Sequence, residues 1–167
     1  MISLKGKYKS YIKSIALALV IFVAYLWIQD IFSGEEGRVR KFVLQGKKVI
    51  EAKNILGLTQ LIADDYHDKY GNDRQTLLYI FREVFGYYSQ ILVHIESIEV
   101  SLDDSKTSAS VEILALVIGK TAQNNTEKIL EGDKGAIKLR LIKEEKIWKL
   151  QGVESFEAMT IMGQNIS

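Results

Sequence analysis

The sequence predicts an α+β fold behind a membrane anchor: an N-terminal transmembrane helix followed by three helices packed on a curved antiparallel four-stranded sheet. Three observations carry this prediction. Residues 14–32 form an apolar run of 19 residues behind a basic tail. From Arg38 to Leu92, apolar residues recur at intervals of three and four. From Ile98 onward the interval changes to two. Helices grouped ahead of a meander of strands make two layers, and the sheet must bend to cover the helices' apolar faces.

The anchor comes first. The tail, residues 1–13, holds Lys5, Lys7, Lys9 and Lys13 and no acid. The span, 14–32, includes Ile15, Leu19, Phe22, Leu26 and Trp27 as its anchoring side chains. As a helix it measures about 28 Å at roughly 1.5 Å per residue, close to the thickness of a bilayer core. Tyr8 and Tyr11 at one end, with Tyr25 and Trp27 near the other, fit an interfacial aromatic belt. A cleaved signal peptide shares the basic start, but its processing site needs small residues, and Ile31 and Phe32 are bulky. A buried core helix would be amphipathic, and this segment is not. Basic residues follow the span as well (Arg38, Arg40, Lys41, Lys47, Lys48), so their number alone does not orient it. The purely basic tail, and the acids Asp30, Glu35 and Glu36 after the span, favour an inner-membrane protein with its N-terminus inside and its C-terminal domain outside the cytoplasm. Asp30 belongs at headgroup level or against a partner in the membrane.

Residues 33–37, Ser-Gly-Glu-Glu-Gly, read as a joint, 38–155 as one domain and 156–167 as a tail. The first soluble helix fits Arg38 to about Asn54, with Val39, Phe42, Val43, Val49 and Ile50 on one face. A second fits Leu58 to Tyr70, with Leu58, Leu61, Ile62 and Tyr66 on a face and Gly71 as its stop. Asn72 or Asp73 caps a third, Asn72 pairing with Gln75 as a capping box. That helix carries Leu77, Phe81, Val84, Phe85, Tyr88, Ile91 and Leu92. Strands follow at Ile98–Leu102, Val111–Val117, Ile137–Leu141 and Ile147–Gln151. Asp103-Asp104-Ser105 and Glu144-Glu145 turn the chain, and Gly132 and Gly135 suggest a bulge or bend before the third strand.

Two stretches carry a family likeness: Ile62 to Arg74, a helix end and restart, and Ile137 to Val153, a final hairpin closing on Ile147-Trp148-Lys149-Leu150. With the element order, they resemble the cystatin-like α+β cone of the nuclear transport factor 2-like superfamily, over about residues 38–155. The form is shortened, and the first stretch looks similar to bacterial members of no settled activity. The resemblance implies a fold shared by isomerases, dehydratases, hydrolases, carriers and structural domains, so it does not give the activity. Isomerase-like members place an acid, tyrosine or histidine inside the cone. Membrane-anchored members use the cone for assembly outside the membrane, and one anchor plus one cone resembles these more.

Composition narrows the chemistry. The 167 residues include no cysteine, which excludes disulfides, thiol nucleophiles, cysteine-ligated metals and a lipid-modified cysteine. They include no proline either, which fits an uninterrupted span. Charge is balanced at net +1, and after removal of residues 1–32 the domain holds 18 Lys+Arg against 20 Asp+Glu. That argues against nucleic acid as a partner. No phosphate loop and no dinucleotide fingerprint occur, so no cofactor and no metal are expected.

Asp64, Asp65, Asp68 and Asp73 form the one dense acidic cluster. A metal would need these oxygens to converge, and the EF-hand pattern is not met. Capping, an Arg74 ion pair and solvated acids account for the cluster more simply. The catalytic candidates are Asp64 and His67 in this cluster and His94 at the expected helix-to-strand join. Asp65, Asp68, Asp73, Arg74, Tyr87 and Tyr88 are pocket or interaction candidates, the tyrosines as lining for a cone mouth. Two functions follow. One is a non-enzymatic interaction or scaffold domain, held in the bilayer by its N-terminal helix and assembled with itself or other envelope proteins. The other is a small-ligand binder or isomerase-like enzyme using the cone interior.

Overall fold

The computed structural model describes residues 34–123, 126–129 and 133–159. The expected transmembrane helix lies outside the described residues, and none of the helices among them is long and apolar enough to cross a membrane. Three helices, α1 (Gly34–Glu51), α2 (Ile55–Leu61) and α3 (Arg74–Tyr87), precede five strands. The strands are β1 (Gln90–Leu102), β2 (Ser108–Gln123), β3 (Thr126–Ile129), β4 (Asp133–Glu144) and β5 (Ile147–Met159).

α1 begins four residues earlier than its apolar spacing required, at Gly34. Glu35 and Glu36 fill its first turn, where carboxylates favour the helix dipole. Val39 and Val43 are its buried residues. Two ion pairs along it, Glu36–Arg40 and Lys47–Glu51, stand at 2.8 and 2.6 Å.

α2 is shorter than its sequence pattern suggests. Asn54 caps it, accepting from the Gly57 N–H at 2.9 Å, but it stops at Leu61 instead of Tyr70. Ile62 and Tyr66, expected on a helical face, are instead buried in an irregular segment that turns at Asp64-Asp65 and again at Lys69-Tyr70. Ile62 bridges Leu150 in parallel, and the N–H groups of Ala63, His67 and Lys69 donate to the carbonyls of Leu150, Gln151 and Val153. This segment covers the free edge of β5, and those strand carbonyls outcompete the helix. Gly152 makes the approach possible, because a Cβ there would stand 2.5 Å from the His67 carbonyl oxygen. Gly71, at φ +86°, therefore shapes a loop and stops no helix. α3 is capped by Asp73, which accepts from the Thr76 N–H at 2.8 Å. Asn72 turns to Asp68 instead, so the Asn72–Gln75 capping box does not form.

α3 ends at Tyr87, before Ile91 and Leu92, which belong to β1. Lys53 supplies a reason: its ammonium donates to the carbonyls of Phe85 and Tyr88 at 3.1 and 2.9 Å and closes the helix end.

The sheet order is β1-β2-β4-β5, all antiparallel, with β3 paired to the end of β2. The four strands of this path are the four expected, and among the described residues a short fifth, β3, lies off the path. β4 pairs with Ser108–Val117 of β2 and β3 with Lys120–Gln123. One register shift in β1 and two between β4 and β5 add local twist and bend the sheet around the helices. Glu145 and Lys146, both at positive φ, form the tight β4–β5 turn.

The concave face packs on α1 through Val39, Val43, Ala109, Val111, Ile113, Ala115, Leu141 and Trp148. A second cluster of Leu58, Ile62, Tyr66 and Leu78 joins α2, the α2–α3 segment and α3, and Leu150 touches both clusters.

Candidate functional site

The acidic cluster sits in the loop between α2 and α3, and most of its chemistry is taken up by that loop. Asp68 is buried, at 5% exposure. Its carboxylate accepts from the N–H groups of Tyr70 and Asn72 at 2.9 and 2.8 Å, the Asn72 side-chain amide at 2.9 Å and the Tyr66 hydroxyl at 3.2 Å. Burial pushes the Asp68 carboxyl up, but the Asn72, Tyr66 and Tyr70 donors outweigh it and hold the group below the ordinary carboxylate range. Burial, and then the Asp68 charge, push the Tyr66 hydroxyl well above its ordinary value, so it stays a donor. An ionised carboxylate with four donors around it is a fastener for the loop, not a poised base.

The other members have structural or exposed positions. Asp73 is the α3 cap, and the Thr76 N–H lowers its pKa. Asp64 is exposed and stands 3.4 Å from Arg74, which also donates to the Thr59 carbonyl at 3.0 Å. Asp65 accepts from the Gln151 amide at 3.1 Å. His67 is exposed, and its backbone does the structural work: its N–H meets Gln151 and its carbonyl accepts from Arg140. His94 stands within β1, not at the helix-to-strand join. It is exposed and alternates with Val93 and Ile95, which pack against the α1 core, so it lies on the convex face. Asp64 and His67 share a loop, and His94 is on a separate surface. Among the described residues no group of three His, Asp or Glu side chains is placed to hold a metal ion.

The concave wall differs in character. The inward positions of β1, of β2 from Ala109 to Gly119 and of β4 from Gly135 to Leu141 are apolar throughout. Lys143, at the rim beside the start of α1, is 2.8 Å from Glu35. At the opposite end the wall is open: Val117 and Phe156 are 44% and 53% exposed. Tyr88 lies there, its ring so close over Gly119 that a Cβ on that glycine would stand 2.3 Å from Tyr88 Cε1. Tyr87 meets Tyr88 edge-on, with centroids 5.0 Å apart, and remains exposed.

Two constellations carried no sequence signal. Glu51 accepts from the Val93 N–H at 2.9 Å, and Arg40 donates to the Ile98 carbonyl, so α1 caps the free edge of β1. The Lys47 ammonium and then the Val93 N–H lower the Glu51 pKa. Glu35 binds Lys143 and accepts from the Trp148 indole at 3.3 Å, and the Lys143 hydrogen bond is the largest cause of its lowered pKa. Both depend on residues distant in sequence meeting in space.

No family model matches the chain, and no curated protein matches its sequence. Solved structures do match. A candidate scytalone dehydratase from Novosphingobium aromaticivorans DSM 12444 aligns with a TM-score of 0.65 at 16% identity, over 78% of this chain and 88% of that one. A nuclear transport factor 2-like superfamily protein from Salmonella enterica serovar Typhimurium LT2 gives 0.64 at 11%, over 81% and 99%. A protein of unknown function with a cystatin-like fold, from Nostoc punctiforme, gives 0.59 at 10%, over 75% and 92%. At these identities the likeness is one of fold, and the chain has the nuclear transport factor 2-like, cystatin-like α+β fold.

Proposed function

We propose that this chain is a membrane-anchored, non-enzymatic interaction domain of the cell envelope. Residues 14–32 hold it in the inner membrane, and the cone stands outside the cytoplasm and assembles with copies of itself or with other envelope proteins. The observation that carries the reading is the separation of chemistry from cavity. The acids and histidines weighed for catalysis lie in a loop or on the convex face, while the inward positions of the sheet are apolar. Exposed aromatic and aliphatic side chains, Tyr79, Ile80 and Tyr87, remain along α3. Tyrosine-rich exposed surface is typical of protein interfaces. In-cell cross-linking followed by gentle detergent extraction tests the proposal. A complex larger than one chain is expected, and recovery of a lone monomer counts against it.

A second reading rests on the open end of the concave wall. Val117 and Phe156 are exposed there beside Tyr88, an apolar surface suited to a small apolar ligand. Saturable binding of an apolar fluorescent probe, weakened by Phe156→Asp, supports this reading, and probe binding that ignores the substitution removes it.

A further inference from the structure

We propose that the domain stands upright on the bilayer, resting on its β4–β5 hairpin and β1–β2 turn, with Ile147 seated in the lipid headgroup interface. The inference rests on the membrane-anchor reading above and adds which end of the domain meets lipid.

The apolar run ends at Phe32, and only Ser33 separates it from Gly34, the first residue of α1. Adjacent Cα atoms are about 3.8 Å apart, so the start of α1 must lie within a few ångströms of the membrane surface. Glu35 then ties that point to the β4–β5 hairpin, through Lys143 at 2.8 Å and Trp148 at 3.3 Å. The Lys143 N–H donates to the Thr107 carbonyl, which brings the β1–β2 turn to the same end. The long axis is fixed independently. Arg40 reaches Ile98 and Glu51 reaches Val93, so α1 runs antiparallel to β1 and away from these turns. Both turns therefore project past the start of α1, toward the bilayer.

The hairpin tip carries the apolar group such a contact needs. Ile147 is 62% exposed and follows directly on the turn residues Glu145 and Lys146. Charge at this end is balanced: Glu35, Asp103, Asp104, Glu144 and Glu145 stand with Arg38, Lys106, Lys143, Lys146 and Lys149. The seat is thus an apolar insertion with no preference for anionic lipid. The far end, with Val117, Phe156 and Tyr87, stands about 30 Å from the membrane, the length of β5 between Ile147 and Phe156 at roughly 3.3 Å per residue.

The absence of cysteine makes the test clean. Ile147→Cys, Ser105→Cys and Tyr87→Cys are made singly in the full chain, labelled with an environment-sensitive dye and reconstituted into phosphatidylcholine vesicles carrying headgroup-level nitroxide lipid. The proposal predicts that dye at positions 147 and 105 is quenched at least twofold more than dye at 87. It also predicts the same ratios when a third of the lipid is phosphatidylglycerol. Adding Ile147→Asp to the position-105 chain should lower its quenching while the chain still floats with the vesicles. Equal quenching at all three positions, or greater quenching at 87, overturns the upright seat while leaving the anchor intact. A chain that does not float with vesicles overturns the anchor reading and this inference together.

Discussion

Replacing Asp68 by alanine removes the acceptor for four donors in the α2–α3 loop. A hydrogen bond to a charged group is worth about 1.5–3 kcal/mol, but the four losses do not add in full. Tyr70 is exposed and Asn72 half-exposed, so their donors regain water. Tyr66 is buried, and its stranded hydroxyl costs about 1–3 kcal/mol. The net expectation is about 3 kcal/mol, which lowers Tm by about 10 °C for a domain of this size. Thermal unfolding followed by circular dichroism on the full chain measures it. The sign of the pH dependence follows from the lowered pKa of Asp68. Its contribution is complete above the unfolded value of about 3.9 and fades as pH falls through the lower folded value. Asp68→Asn, which keeps one acceptor oxygen, should cost less than alanine at pH 7, and its deficit should shrink as pH falls below about 4. An alanine variant within about 0.5 kcal/mol of the parent, or a deficit that ignores pH, would refute the view of Asp68 as the loop's fastener.

Further predictions concern the same framework. Gly119→Ala should cost about 1–3 kcal/mol in chemical denaturation, because its Cβ would overlap the Tyr88 ring, and Tyr88→Ala in the same chain should recover part of that cost. Lys53→Met should destabilise the protein by about 1 kcal/mol and raise amide hydrogen exchange in the last turn of α3, since the Phe85 and Tyr88 carbonyls lose their donor. The triple substitution Asp64→Ala, His67→Ala, His94→Ala should leave recovery of cross-linked complexes unchanged, because these side chains are exposed and lie off the concave wall.

Much of the fold was legible because periodicity reports burial directly. Val39 and Val43 on α1, and the alternation at Ile98–Leu102 and Ile137–Leu141, all point into the core. The Asp73 cap was legible as one of two alternatives, and Asn72 was ruled out only by its bond to Asp68. The end of α2 was not legible. Leu58, Leu61, Ile62 and Tyr66 fit a helical face equally well when Ile62 and Tyr66 belong to an irregular segment, and the deciding acceptors are carbonyls near residue 150. Ile91 and Leu92 extended the α3 pattern by chance of spacing, and the helix end depends on Lys53, more than thirty residues earlier. The acidic loop was visible as a cluster. That Asp68 is its buried centre, and Asp64 an exposed arm, depends on which face of the loop meets β5.

The proposed role requires that the exposed face of α3, with Tyr79 and Tyr87, meets another protein chain. Site-specific photo-cross-linking from α3 tests it most directly, with a benzophenone amino acid at position 79 or 87 of the full chain in its native membrane. A covalent adduct with a second protein chain is expected at one or both positions, and none from a matched position buried in the core, such as Val111. Clean monomer at both α3 positions would contradict it.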